Sequence, residues 1–206
     1  MGTRIYRYAV ATRLSHWLWV LAFAALVGSG LQIFNAAPYL DASDATNPAH
    51  RVLELQTPDN GTAIPGWLTI PSYRDLADGR RWHLFFAWVM LLCGITWFIS
   101  SAIKGNLREL FTGERGIYNL PQRASYIIII FVVAPIVVLS GLALSPGMDA
   151  VAQPLTALFG GRQFARLFHF AGMVMLVGFF CVHLFQVATH GVVNQLNSMI
   201  TGWYRT

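Results

Sequence analysis

The chain has 206 residues, of which 55% are hydrophobic and only 11% are charged. An ordinary soluble domain carries roughly 25% charged residues, so this composition argues against a water-soluble globule. The formal net charge of +5 would suggest nucleic-acid binding in a soluble protein. Here the basic residues flank apolar segments, as they do around membrane spans, and we expect no nucleic-acid partner.

Four windows without any charged residue predict four membrane-spanning helices. Each window is 21 to 23 residues long, and about 20 apolar residues suffice to cross the hydrocarbon core of a bilayer. The windows are residues 14–34, 83–103, 124–145 and 167–189. The remaining segments leave no room for a second soluble domain. We therefore predict a single all-α domain over residues 1–206, an integral membrane four-helix bundle in the lipid bilayer.

The distribution of basic residues predicts that both termini are cytoplasmic. The N-terminal segment, the connection after the second window and the C-terminal tail carry 8 basic and 2 acidic residues, against 6 basic and 7 acidic residues on the other side. Cytoplasmic segments are usually the richer in Lys and Arg. The long 48-residue connection 35–82, between the first and second windows, then faces the periplasm.

Four of the six histidines lie in or at the edge of the predicted spans. An ionisable side chain at membrane depth is costly and is therefore a functional candidate. His169 and His183 are 14 residues apart, which in an α-helix puts them within about 40° of one face and about 21 Å apart along the axis. With the predicted orientation, His83 shares the outer depth of His169, and His16 shares the inner depth of His183.

Two facing imidazoles without a third ligand suit an iron porphyrin whose axial positions the protein fills. Zinc fits poorly because it usually takes three or four protein ligands. A proton relay normally includes Asp or Glu, which the windows lack. Both cysteines lie inside windows and no C-x-x-C-H run occurs, so a covalent c-type haem is not expected. The spacing favours two non-covalent b haems, with purely structural histidines as the alternative.

Several runs along nearly the whole chain point to a known family: GLQIFNAAP, GRRWHLFFAW, YNLPQRASY, SGLALSPGMDA, FGGRQFARLFHF and NSMITGW. Together they resemble the di-haem b-type cytochrome subunits of respiratory enzymes, the prokaryotic cytochrome b561 superfamily that includes the cytochrome b subunits of nickel-iron hydrogenase and formate dehydrogenase. The thiosulfate-reductase-type members are the most similar. The resemblance implies two b haems with four axial ligands in the same pairs, His83 with His169 and His16 with His183.

The resemblance also implies a function in the bacterial inner membrane. Such subunits pass electrons between the membrane quinone pool and a periplasmic redox partner, a molybdopterin oxidoreductase or a hydrogenase. The chain is then an electron-transfer subunit without catalytic residues of its own. The alternative is a free-standing di-haem quinone reductase that oxidises a small reductant such as superoxide.

Two further sets of residues are weaker candidates. For the quinone site, Asn119 matches the quinone-contacting position of the family, Gln122 follows it, and His190 lies on nearly the same helical face as His183. Haem propionates require cationic partners, although basic residues mark span ends in general. The candidate propionate partners are the arginines near the histidines in sequence: Arg13, Arg81 and Arg166.

The connection 35–82 is long for a passive link between two helices, so we expect it to dock a partner or to cover a cofactor. It contains five prolines, and we predict that three aromatic residues form an exposed platform: Tyr39, Trp67 and Tyr73. Its acidic residues are expected to orient the partner: Asp41, Asp44, Glu54, Asp59, Asp75 and Asp78. His50, in the same segment, is predicted to be a surface residue.

Overall fold

The structure is a computed structural model that describes residues 3–58, 61–103, 105–114 and 119–205. Asp59, one of the acidic residues predicted to orient a partner, lies outside these ranges, as do Lys104 and Arg115, two of the basic residues counted on the cytoplasmic side. Four helices are long and apolar enough to cross a membrane: Val10–Phe34, Leu76–Ile103, Leu120–Leu144 and Arg162–Thr189. We refer to them as the first to fourth spans. The predicted helical membrane bundle with four spans is confirmed.

The spans begin four to seven residues before the charge-free windows and end at or within one residue of them. Arg13, Asp78, Arg81 and Arg166 therefore lie inside helices, where the charge pattern alone suggested boundaries. A helix satisfies its own backbone hydrogen bonds at any depth, so it continues into the headgroup region. There, charged side chains extend to water while their aliphatic parts stay on the helix.

The third span changes its geometry midway. Residues Ile129–Val133 form a π-helical turn between two α-helical parts, Leu120–Ile128 and Ala134–Leu144. Pro135 lies two residues after this turn. A proline inside a helix has no N–H to donate, and its ring clashes with the carbonyl four residues earlier. The wider turn relieves that clash and lets the span continue.

Shorter elements connect the spans and follow the last one. The shorter helices are Asn106–Thr112, Pro146–Asp149, Gln153–Leu158 and Val192–Thr201, with 3₁₀ turns at Pro48–His50 and Gly66–Leu68. Two antiparallel ribbons, which the sequence did not predict, pair β1 (Arg4–Tyr6) with β4 (Trp203–Arg205) and β2 (Tyr39–Asp41) with β3 (Arg51–Glu54). The β1–β4 ribbon joins the two termini, so both lie at one end of the bundle, which we call the terminal end. The opposite end is the loop end.

The spans pack as two close pairs, the first with the second and the third with the fourth. Small buried residues allow this approach, since membrane helices pack most tightly where side chains are small. Gly172 is the clearest case, because a Cβ there would lie 2.3 Å from Cγ2 of Val137 on the third span. The other small buried residues in the spans include Ala22, Ala25, Ser29, Ser140, Ala143 and Ala165.

Between the two pairs, ring side chains make the contacts. The ring centroids of Phe23 and Phe180 are 5.4 Å apart, and those of Phe34 and Phe170 are 4.9 Å apart. Both contacts join the first span to the fourth. The region between the pairs is therefore bridged by flat side chains, and the histidines described below lie in it.

Residues 35–58 and 61–75 form a cap over the loop end, which we call the loop cap. Its core joins Leu40 and Ile64 to Phe34 at the end of the first span, with Leu167 and Phe170 of the fourth span packed against them. The loop cap is thus attached to both helix pairs. The amide of Asn35, buried at the end of the first span, reinforces this attachment by donating to the carbonyl of Ile64 at 3.0 Å and accepting from its N–H at 2.8 Å.

The C-terminal helix Val192–Thr201 lies against the start of the first span. Arg13 Nη1 donates to the carbonyl of Ile200, and Trp17 Nε1 donates to the carbonyl of Met199 at 3.1 Å. The last carbonyls of a helix have no partner within the helix, so these two donors stabilise its end. The tail, which the sequence left without predicted structure, is therefore an ordered part of the terminal end.

Candidate functional site

His83 and His169 form a pair near the loop end. They project from the second and fourth spans, and their ring centroids are 6.0 Å apart with an angle of 68° between the ring planes. Both rings lie between the two helix pairs. The predicted juxtaposition of these two imidazoles is thus present in the structure, and we call it the loop-end pair.

A serine holds each ring of the loop-end pair from the neighbouring helix. Ser29 Oγ of the first span lies 3.1 Å from His83 Nδ1, and Ser140 Oγ of the third span lies 3.1 Å from His169 Nδ1. Both serines are fully buried, with 0% exposure. A bond at Nδ1 leaves Nε2 as the ring nitrogen available to a metal.

A glycine follows each of these serines and lets the ring come close. A Cβ on Gly30 would lie 3.3 Å from His83 Cε1, and a Cβ on Gly141 would lie 3.0 Å from His169 Cε1. Either side chain would press on the imidazole. Gly30 and Gly141 thus form the surfaces against which the two imidazoles pack.

His16 and His183 form the second pair, near the terminal end. Their ring centroids are 6.4 Å apart and their planes are inclined at 55°. The ring of Trp17 approaches His16 edge-on at 5.3 Å. Within the described part of the chain, Nδ1 of His16 is buried and has no hydrogen-bond partner. We call these two residues the terminal-end pair.

The donor set of the two pairs fits b haem better than a simple metal ion. Each pair offers two imidazoles and no carboxylate or thiolate, and among the described residues no group of three or more His, Cys, Asp or Glu is placed to hold a metal ion. Tetrahedral zinc requires more ligands than this. A b haem with two protein ligands is held by one imidazole from each of two facing helices, which is what each pair offers.

The three arginines proposed as propionate partners all have protein partners. Arg166 donates to the carbonyl of Ala37 at 2.9 Å and to Gln163 Oε1 at 3.1 Å, so it ties the fourth span to the loop cap. Arg81 is 79% exposed and pairs with Asp78 at 2.9 Å. Arg13 bonds the C-terminal helix, while its Nε is buried without a partner in the described structure.

The proposed quinone residues Asn119 and Gln122 form a capping box at the start of the third span. The Asn119 side chain accepts from the N–H of Gln122 at 2.9 Å, and the Gln122 side chain accepts from the N–H of Asn119 at 3.1 Å. Both are thereby explained as helix-start residues. His190 ends the fourth span, where its Nδ1 lies 2.8 Å from the carbonyl of Gln186 and the side chain is exposed.

A cavity of about 260 Å³ lies between the second span, the helix Asn106–Thr112 and the third span. Its polar lining residues are Ser101, Asn106 and Tyr126. The ring of Tyr126 packs edge-on against Phe179 at 6.1 Å, and Phe179 lies one helical turn before His183. The cavity is thus close to the terminal-end pair.

Two predictions about the loop cap are wrong. Tyr39 is not part of an exposed platform, because it is partly buried and stacks on the guanidinium of Arg51 at 4.1 Å. Asp41 is fully buried and bonds Arg51 Nε at 3.0 Å, so it cannot orient a partner. Trp67 and Tyr73 are exposed, at 80% and 60%, and His50 is exposed as expected.

Burial by itself raises the pKa of the Asp41 carboxyl. The bonds from the Arg51 side chain and the N–H of Asn47, together with the positive charges of Arg51 and Arg166, outweigh it and hold the pKa below its ordinary value. Asp41 is therefore an internal anchor of the β2–β3 ribbon.

The sequence interpretation missed Ser29 and Ser140. A signal for them existed, since the tripeptide Ser-Gly-Leu occurs twice, at residues 29–31 and 140–142, once in each helix that packs against a histidine of the loop-end pair. Serines in a membrane helix commonly bond their own backbone, and the repeat alone does not reveal which side chain they contact.

Comparison with known proteins assigns a family. A protein of Azospira oryzae named "Putative protein-methionine-sulfoxide reductase subunit YedZ1" is 33% identical over 211 aligned residues, which cover 92% of this chain and 93% of the relative. No solved structure shows significant similarity. The model of the family described as "Prokaryotic cytochrome b561" matches residues 7–202. The chain therefore belongs to the prokaryotic cytochrome b561 family and is a multi-pass, haem-binding protein of electron transport in the bacterial inner membrane.

Proposed function

We propose that the chain is an electron-transfer subunit that holds two b haems, one between His83 and His169 and one between His16 and His183. The observation that carries this proposal is the presence of two imidazole pairs, with centroids 6.0 and 6.4 Å apart, near opposite ends of one bundle. Both pairs share the fourth span, as the 14-residue spacing of His169 and His183 predicts.

When bound, each b haem supplies a centre that takes up and releases one electron. The chain's own residues fix the two positions. The histidines would hold the haem irons, and the packing of the two helix pairs against each other sets the distance between the rings. The loop cap packs its apolar core over the loop end and limits the access of water to the loop-end pair.

We further propose that the terminal end faces the cytoplasm and the loop end faces the periplasm. The excess of basic residues on the terminal side supports this orientation. Electrons then cross the bilayer between a quinone at the terminal end and a protein partner at the loop end.

The proposed partner is a periplasmic redox subunit of the molybdopterin oxidoreductase or hydrogenase type. The Azospira oryzae relative is named as a reductase subunit, which supports a role within a complex. The exposed rings of Trp67 and Tyr73 in the loop cap offer the kind of contact that dominates interface energetics. We do not favour a free-standing superoxide-oxidising enzyme, because the ordered loop cap lies over the end at which such an enzyme would need access.

For the quinone, we propose a site at the terminal end that includes Asn119, Gln122 or His190. The polar-lined cavity near Tyr126 supports a quinone in this region, since it is one packed ring away from the helical turn before His183. The capping role of Asn119 and Gln122 does not remove them, because each side-chain amide keeps its NH₂ group for a ligand.

The decisive experiment is haem stoichiometry in the purified protein, measured by pyridine haemochrome and protein mass. We expect two haems per wild-type chain and one each in His169→Ala and His183→Ala. His50→Ala, which removes an exposed histidine of the loop cap, is the matched control and should retain two. One haem in the wild-type protein, or two in either ligand variant, would refute the proposed ligation.

A further inference from the structure

We propose that Ser29 and Ser140 are positioning residues that fix the tautomer of both loop-end imidazoles and lower the reduction potential of the haem they hold. This inference rests on the proposed function and assigns a role to the first and third spans at a site whose histidines come from the second and fourth.

The direction of each serine bond follows from the neighbouring backbone. Ser29 Oγ lies 2.5 Å from the carbonyl of Ala25, and Ser140 Oγ lies 2.6 Å from the carbonyl of Ile136. A hydroxyl has one hydrogen, and each serine donates it to the carbonyl one turn back in its own helix. Its oxygen is then left to accept a bond from the histidine.

A second contact of His169 independently shows that Nδ1 is the donor. His169 Nδ1 is also 3.0 Å from the carbonyl of Val137, and a carbonyl can only accept. Nδ1 of His169 therefore carries the hydrogen and shares it between Val137 and Ser140. For His83, the hydroxyl hydrogen of Ser29 is donated to Ala25, so Ser29 Oγ accepts from Nδ1 of that ring at 3.1 Å. Both rings thus present an unprotonated Nε2.

The same arrangement of side chains occurs at both histidines of the loop-end pair. In each case a buried serine bonds Nδ1 of one imidazole, and the glycine directly after it lies against the same ring. The bond and the close glycine restrict the rotation of each ring. The terminal-end pair differs, because Nδ1 of His16 has no partner within the described residues.

A hydrogen bond from Nδ1 makes an imidazole more basic and a stronger electron donor to the iron, which favours the oxidised state. Removing a serine acceptor should weaken this effect. At His169 the carbonyl of Val137 remains as a second acceptor. One hydrogen bond changes an equilibrium by roughly threefold to tenfold. With 59 mV per tenfold change for one electron, each serine is expected to shift the midpoint by about 30 to 60 mV.

The experiment is a potentiometric titration of the purified two-haem protein with electron paramagnetic resonance of the oxidised haems. Ser29→Ala, Ser140→Ala and the double variant remove the hydroxyls, while Ser29→Thr and Ser140→Thr retain them. Ser198→Ala, at a fully buried serine of the C-terminal helix that bonds the carbonyl of Gln195, is the matched control. The His169→Ala variant identifies which component belongs to the loop-end pair.

We expect the loop-end midpoint to rise in the alanine variants, with a changed resonance signal, while the threonine variants stay near wild type and the other haem is unaffected. Selective loss of the loop-end haem in the double variant, with rescue by threonine, would support the same role. Unchanged midpoints in a double variant with two haems would overturn the inference, as would equal shifts in the threonine or Ser198→Ala proteins. These results leave the proposed function standing, since that function is tested by the haem stoichiometry of the wild-type protein and of the histidine variants.

Discussion

Asn119 has a structural and a proposed functional explanation at the same time. Its side-chain oxygen caps the third span, and its NH₂ group is the part that a quinone carbonyl would use. Replacing it with leucine removes both groups, so that variant alone cannot separate the two explanations. Aspartate keeps the capping oxygen and removes the donor, since Asp and Asn are equally good N-caps.

We predict that Asn119→Asp slows quinol-linked haem reduction by roughly twofold to tenfold, the value of one hydrogen bond, with unchanged thermal stability. Asn119→Leu should show the same kinetic loss and in addition lose about 1 kcal/mol of stability from the missing cap. Stopped-flow reduction by a soluble quinol and thermal unfolding would measure the two effects. Normal quinol kinetics in Asn119→Asp would leave Asn119 with the capping role only.

The β2–β3 ribbon depends on one buried carboxylate. Asp41 accepts from Arg51 Nε and from the N–H of Asn47, both at 3.0 Å, and Arg51 also bonds Glu54 at 2.8 Å and stacks on Tyr39. These bonds favour the charged carboxylate and hold its pKa below the ordinary value of 3.8. The stabilisation is therefore fully present above that value and is lost as the pH falls through the lower pKa of the folded state.

We predict that hydrogen-exchange protection of residues 39–54, corrected for the intrinsic rate, falls as the pH drops from about 6 to about 2, across the carboxyl range. Asp41→Asn should reduce this protection already near pH 6 and remove much of its pH dependence, because Arg51 loses a charged partner. Asp44→Asn changes an exposed acid of the same cap and is the control. An Asp41→Asn protein with the wild-type pH profile would show that another group controls the ribbon.

At the scale of the whole molecule, the loop cap is a folded part of the bundle. Shortening it between residues 44 and 61, an obvious test of docking, would remove β3 and Arg51 and leave Asp41 buried without its cation. Such a variant would damage the cap and the partner surface together. A single exposed side chain gives a cleaner test, and Trp67 is the most exposed aromatic residue of the cap at 80%.

We predict that Trp67→Ala retains both haems and normal quinol reduction but weakens binding to the redox subunit that co-purifies in mild detergent. A central aromatic contact contributes about 2 kcal/mol or more, roughly thirtyfold in Kd. Val151→Ala, at a 78% exposed apolar residue between the third and fourth spans, is the control. Unchanged affinity would exclude Trp67 from the interface. Faster reaction with superoxide in Trp67→Ala would instead support the alternative function, a free-standing di-haem quinone reductase.

The sequence by itself determined the four spans and the pairing of the histidines by depth. Both follow from local physics. A span needs an unbroken apolar length, which can be counted, and an α-helix repeats every 3.6 residues, so the faces of His169 and His183 follow from their spacing. The start of the third span was predicted four residues too late, at residue 124, although the signal was local, since the capping box of Asn119 and Gln122 lies within four residues of chain.

Only the tertiary structure decided which polar groups meet across the chain. Ser140 and His169 are 29 residues apart, Ser29 and His83 are 54 apart, and Arg13 and Ile200 are 187 apart. The β1–β4 ribbon and the burial of Asp41 have the same origin. A polar side chain in an apolar region bonds whichever group the packing of distant segments brings within about 3 Å, and no periodicity in the sequence records that choice. Hydrophobic length and helical phase are properties of one segment, whereas a hydrogen-bond partner is a property of two.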